Sequence, residues 1–217
     1  MITPRHLGMF IAAILCASQA PAQTPSSQPP SSAAAPAASW EFNLSVSGYI
    51  VPQGQSYVNP TFMADRGKLH LEGRYNYEAQ RTGSLWGGYN FKVGEKVVLK
   101  ATPMIGAVFG NVNGVAPGLE LTVTRNKVEL YSASEYVIDA ATSAGNFLYT
   151  WTQLTYSPVE WFTAGYVVQR TRAYQTPLSV QRGLLVGFTH KKLQFITHVF
   201  DIGEASPTVV LSMGYTF

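Results

Sequence analysis

Short apolar-alternating runs separated by turn residues constrain this chain more than anything else in its 217 residues. They begin at Trp40 and continue to Phe217, with no helical periodicity between them. Strands are expected near 40–51, 57–64, 68–78, 85–93, 97–109, 118–125, 127–136, 147–156, 161–171, 182–190, 193–200 and 207–217, twelve in all. Their connections take turns in length. Asp65-Arg66-Gly67, Gly94-Glu95-Lys96, Arg125-Asn126-Lys127, Ser157-Pro158-Val159-Glu160 and Lys191-Lys192 are tight and polar. Between them fall longer connections around Gln53–Ser56, Ala79–Ser84, Gly110–Pro117, Ile138–Asn146, Arg172–Ser179 and Asp201–Ser206. A Greek-key sandwich has no reason for that regularity, whereas a closed, antiparallel, up-and-down transmembrane β-barrel requires it.

The stretch Pro207 to Phe217 reads PTVVLSMGYTF. Val209, Leu211, Met213, Tyr215 and Phe217 share one face of a strand, and Thr208, Val210, Ser212, Gly214 and Thr216 share the other. This pattern resembles the C-terminal strand of bacterial outer-membrane β-barrel proteins, which ends in Phe after apolar residues at every second position. The resemblance covers one strand and names a class. It implies closure against the strand that starts at Trp40, a place in the outer membrane among its lipids, and recognition of the C-terminal strand by barrel-assembly machinery. An even strand count puts both termini in the periplasm. A soluble barrel or sandwich ending in an edge strand is the competing reading.

Before Trp40 the chain carries no fold signal. Arg5 followed by the apolar Leu7–Ala17 and the Ala20-x-Ala22 pattern read as a signal peptide over 1–22, with Cys16 inside it. The Pro/Ala/Ser-rich 23–39 has no charge and almost no bulky apolar residue, so a disordered leader is expected before a barrel spanning 40–217. Charged residues make up 12% of the chain, about half the usual share. The net charge of +3 is spread out with no basic cluster, which argues against nucleic acid.

Strand 68–78 decides which face looks inward. Leu69, Leu71, Gly73, Tyr75 and Tyr77 lie on one face; His70, Glu72, Arg74, Asn76 and Glu78 lie on the other. Charges facing lipid near the midplane would cost about 2–4 kcal/mol each for Arg or Lys, so this second set belongs in the lumen. The same parity places Lys100, Glu120, Glu129 and Glu135 inside, and suggests a belt in which Lys100 on one strand meets Glu120 on the next. Strands 147–156 and 182–190 are apolar on both faces in places and leave their parity open. Aromatic residues near strand ends are expected at the membrane interfaces: Trp40, Tyr75, Tyr77, Trp161, Tyr215 and Phe217, with Tyr57, Trp86 and Tyr156 in the same class. Gly87-Gly88 would relieve crowding or admit a neighbouring ring.

A charged lumen suits a narrow passive channel for small polar solutes. The alternative is a salt-bridged plug in a structural or interaction barrel of the envelope. A membrane-embedded lipid-modifying enzyme comes third, because His70, His190 and His198 sit in no nucleophile motif. Glu72 and Glu78, six residues apart on one strand, would be about 20 Å from each other, too far for glycoside chemistry. No cofactor, metal ligand set or phosphate-binding loop is implied.

Overall fold

The computed structural model describes residues 38–52, 54–173 and 178–217. The signal segment 1–22 and nearly all of the leader 23–39 lie outside the described residues. Thirteen strands form one antiparallel sheet. They are β1 (Trp40–Ile50), β2 (Tyr57–Arg66), β3 (Leu69–Tyr75), β4 (Thr82–Tyr89), β5 (Phe91–Val93), β6 (Val98–Gly110), β7 (Gly114–Arg125), β8 (Val128–Asp139), β9 (Phe147–Val159), β10 (Phe162–Ala173), β11 (Ser179–His190), β12 (Leu193–Phe200) and β13 (Thr208–Thr216). Both β4 and β5 pair with β6, on either side of Asn90, so they are two pieces of one barrel strand and the barrel has twelve. Asn90 interrupts the ladder to turn its amide inward, donating to Asp65 at 2.6 Å and accepting from Thr102 at 2.7 Å.

Closure is complete. Strand β13 pairs with β1 from Asn43↔Thr216 to Ile50↔Val209, and the ladder extends to a bond from the Phe217 N–H to the Phe42 carbonyl at 2.9 Å. Among the described residues no helix is long and apolar enough to cross a membrane, and the helical structure there is one 3-10 turn at Ser143–Gly145.

The tight turns owe their shape to residues that accept positive φ. Gly67, Asn126 and Lys191 each occupy the first of two turn positions, at φ 60°, 53° and 56°. Such turns match the right-handed twist of the strands they join. At the opposite end the expected loop over Gly110–Pro117 is shorter than its composition suggests. Strand β6 runs to Gly110 and β7 restarts at Gly114, because the Asn113 side chain clasps Gly110 through both its N–H and its carbonyl. Pro117 sits outward within β7 rather than in a loop.

The side-chain distribution is that of a membrane barrel. Leu44, Phe62, Leu85, Ile105, Leu119, Leu130, Leu154, Leu184, Phe195 and Leu211 point outward with their surface exposed. Buried positions include Asn59, Thr61, His70, Glu72, Arg74, Glu78, Glu135, Gln153 and His198. A water-soluble barrel would reverse this, since a buried charge needs partners and an exposed apolar belt needs lipid.

The two strands of open parity are now settled. On β9, Tyr149, Trp151, Gln153 and Thr155 turn in while Leu148, Leu154 and Tyr156 turn out; on β11, Leu185 turns in while Leu184, Val186 and Phe188 turn out. Both faces of β11 are apolar because this side of the lumen is apolar too. Val167, Leu185, Ile196, Phe200 and Val210 pack together there, with Tyr49 and Trp151 against them.

Candidate functional site

The other side of the lumen is built around Arg74. Strand β3 alternates strictly, so His70, Glu72 and Arg74 project inward in succession. The Arg74 guanidinium donates to Glu72 on its own strand and to Glu135 on β8, each at 2.7 Å. It lies 3.8 Å from a Glu78 oxygen and 4.0 Å from a Glu120 oxygen. Two rings lie close against it, its central carbon 4.4 Å from the Tyr77 centroid and 4.6 Å from that of Trp86. A planar fork with donors on two edges and two π faces serves this site, and a lysine could not.

Polar contacts spread from this hub. His70 meets Asp65 at 2.9 Å and a Glu72 oxygen at 3.7 Å. Glu120 accepts from the Tyr131 hydroxyl at 2.9 Å, and Glu78 accepts from Ser84 at 2.5 Å and from the Trp86 indole at 3.3 Å. Trp86 has room because Gly106 and Gly118 face it from β6 and β7. A Cβ at either position would come within 2.5 Å and 2.8 Å of its ring atoms. These glycines, rather than Gly87 and Gly88, admit the ring. Gly87 has nothing near its would-be Cβ, and Gly88 is crowded by β6.

Several expected placements change. Lys100 does face inward, but its partner across the ladder is Thr122, with Lys92 on its other side. The residue opposite Glu120 on β6 is Thr102. In place of the expected belt of paired acids and bases, a single arginine gathers four carboxylates, with Lys100 apart from it. Glu129 also lies apart, accepting from Thr124 at 3.1 Å near the tight-turn end.

Tyr77, expected at the membrane interface, turns inward. The chain leaves β3 at Asn76, whose φ of 57° breaks the alternation, so the residues after it no longer follow strand parity. Asn76 itself braces the loop rather than the lumen, donating to the Val58 carbonyl and accepting from the Arg81 N–H. The same reversal brings Glu78 back over the barrel. Glu72 and Glu78 then reach one guanidinium instead of standing about 20 Å apart, the strand-based separation. Trp86 and Tyr57 are likewise inside. Trp40, Tyr75, Trp161, Tyr215 and Phe217 are exposed on the outer surface. Trp161 packs with Phe162 and Phe188, and Tyr215 with Phe217, in the manner of an interfacial girdle.

Above the hub, at the end with the longer loops, opens a vestibule of about 440 Å³. Tyr49, Tyr57, Tyr77, Tyr149 and Phe147 line it together with Glu78, whose own side chain is fully enclosed. Tyr49 and Tyr57 stack at 4.5 Å, and Tyr149 meets Tyr77 edge-on at 5.6 Å. Among the described residues no cluster could hold a metal ion. His198 sits between Trp151 and Phe200 inside the apolar wall.

No family model and no curated protein matches the chain. Among solved structures it is similar to the KdgM porin, with a TM-score of 0.59 at 11% identity over 81% of this chain and 99% of that one. The KdgM porin in complex with disordered oligogalacturonate gives the same TM-score at 9% identity, again over 81% and 99%. What is shared at such identities is the fold, a closed antiparallel barrel of the outer-membrane type.

Proposed function

We propose that this barrel is a narrow passive channel of the bacterial outer membrane for small polar solutes, with the Arg74 cluster as its constriction. The observation that carries the reading is the concentration of buried charge on one lumenal wall. Four carboxylates lie within 4.0 Å of Arg74 in a barrel whose outer face is apolar. A charged constriction selects by sign, and here carboxylates outnumber the arginine and the histidine. The passage therefore favours cations and neutral solutes over anions. That separates it from a binder of oligogalacturonate, the anionic oligosaccharide held by the similar porin.

The termini face the periplasm in this reading, with the vestibule outside. The strand Thr208–Thr216 is the segment that assembly machinery would engage. Arg74, Glu72, Glu78 and Glu135 have almost no exposed side-chain surface, which also favours a second reading, a barrel held permanently shut.

Planar-bilayer recording separates the two. The channel gives discrete conductance steps with reversal potentials that favour K⁺ over Cl⁻, and Glu72→Gln lowers that preference severalfold. A folded barrel that stays silent overturns the channel and leaves the structural role.

A further inference from the structure

The geometry points to a binding site for a phosphorylated glycolipid headgroup on the outer surface of the barrel, formed by Arg170, Arg172 and Arg182. That the lipid comes from the outer leaflet rests on the reading that the longer loops face outside.

Val167 is buried in the lumenal wall, and Gln169 and Thr171 line the vestibule. Strand alternation therefore turns Arg170 and Arg172 of β10 to the outer face. On β11 Leu185 faces inward, and Arg182 shares the outward parity of Leu184 and Val186. All three arginines are exposed. Arg170 pairs with Val180 and Arg182 with Val168, which makes the two arginines diagonal neighbours about 7–8 Å apart. Arg172 stands two residues along the strand from Arg170, about 7 Å away. The cross-strand row of Arg170 continues through Thr150 to Ser134, and that of Arg172 through Leu148 to the exposed Tyr136.

Like charges so close repel one another, and the barrel supplies nothing to offset them. Among the described residues none of the three guanidiniums has an ion-pair or hydrogen-bond partner. No outward position of β9 to β12 holds an acid. Asp201, in the loop after β12, accepts from the Gln181 amide at 2.9 Å and from the backbone N–H of Arg182 at 3.4 Å. Height identifies the missing counter-ion. Arg170 and Arg172 follow Phe162, in the girdle at the tight-turn end, by eight and ten residues. At a strand tilt near 40° that places them about 20 Å and 25 Å up the barrel. The apolar band is about 25 Å tall, so they reach the headgroups at its far side. Arg182, six residues from Phe188, stands about 15 Å up and has a stem long enough to lift its charge towards them. A phosphate at that level is anionic and accepts forked guanidinium bonds on several oxygens. The hydroxyls of Thr150, Ser134 and Tyr136 beside it suit the sugar that carries the phosphate.

The test is native mass spectrometry of the detergent-folded full barrel, titrated separately with diphosphorylated lipid A, dephosphorylated lipid A and phosphatidylglycerol. Saturable retention of diphosphorylated lipid A is expected, weakened roughly tenfold or more when Arg170→Gln, Arg172→Gln and Arg182→Gln are combined, and by a similar factor when the lipid loses its phosphates. Arg125→Gln, which removes an exposed arginine at the tight-turn end, should leave the affinity unchanged. Unchanged heat-modifiable gel mobility shows that the variants fold. No retention, equal losses in the triple variant and in Arg125→Gln, or a preference for phosphatidylglycerol each overturns the proposal. Displacement of lipid A by equimolar inorganic phosphate would make this a site for the free anion and overturn the lipid. Labelling of the Glu204→Cys variant on intact cells with a membrane-impermeant maleimide tests the orientation by itself. A failure to label sinks the outward reading and the outer-leaflet source, whereas labelling without lipid A binding leaves the orientation standing and sinks the site.

Discussion

At the scale of single residues, Arg74 holds together groups that repel one another. Glu72, Glu78, Glu120 and Glu135 come from β3, the following loop, β7 and β8, and Arg74 is the cation that all four reach. Removing one partner of a buried ion cluster is far more damaging than never having built it, since the remaining charges stay desolvated. Arg74→Met should therefore destabilise the barrel by about 3–5 kcal/mol, read from urea unfolding in lipid vesicles. Adding Glu72→Gln and Glu135→Gln to Arg74→Met should restore most of the loss. Failure to restore it would show that the rings close against the guanidinium, not the carboxylates, set the cost. Arg74→Lys keeps the charge but loses the fork that reaches Glu72 and Glu135 together.

At the scale of the strand, parity governs everything the barrel presents to lipid or lumen. Strand β9 tests it most sharply because its composition left both faces open. Leu154 lies outward near the middle of the strand, half exposed, between the buried Gln153 and Thr155. An arginine there meets hydrocarbon. Leu154→Arg should cost about 2–4 kcal/mol in vesicle-based folding measurements. A change within about 0.5 kcal/mol, the range of ordinary surface substitutions, would mean that this face of β9 does not see lipid. Parity also has a natural end. Once φ turns positive, as at Asn76, the next side chains are placed by the loop and not by the pleat.

For the molecule as a whole, the decisive contact is β1 against β13, which joins the two ends of the described sheet. Without β13, β1 and β12 each present an open edge, and hydrocarbon offers nothing to satisfy the freed N–H and C=O groups. A chain ending at Ser206 should fail to insert into vesicles, stay protease-sensitive and show no heat-modifiable gel shift. Insertion of that shortened chain into a protected form would overturn the closed barrel as the folding unit. The lumen inside the closed barrel is two-sided, with charge over β3, β7 and β8 and apolar packing over β10 to β13.

The sequence by itself determined the barrel, because strand alternation and the rhythm of tight and longer connections are local properties. Each depends on residues within one hairpin. The inward turn of His70, Glu72 and Arg74 was legible for the same reason, as was the outward Leu211, Met213 and Tyr215 of β13. The companions of Arg74 were not. Glu135 is 61 residues away, and shear between strands sets which inward side chains share a level, so Lys100 misses Glu120 while Arg74 finds Glu135. Trp86 and Tyr77 entered the site, and Glu78, expected in the lumen, came within reach of Arg74, through features that only the three-dimensional arrangement reveals. Gly106 and Gly118 open space for a ring from a different strand, and one left-handed residue folds a loop back over the lumen. Local periodicity assigns a side chain to a face, but only closure and shear decide which side chains meet there.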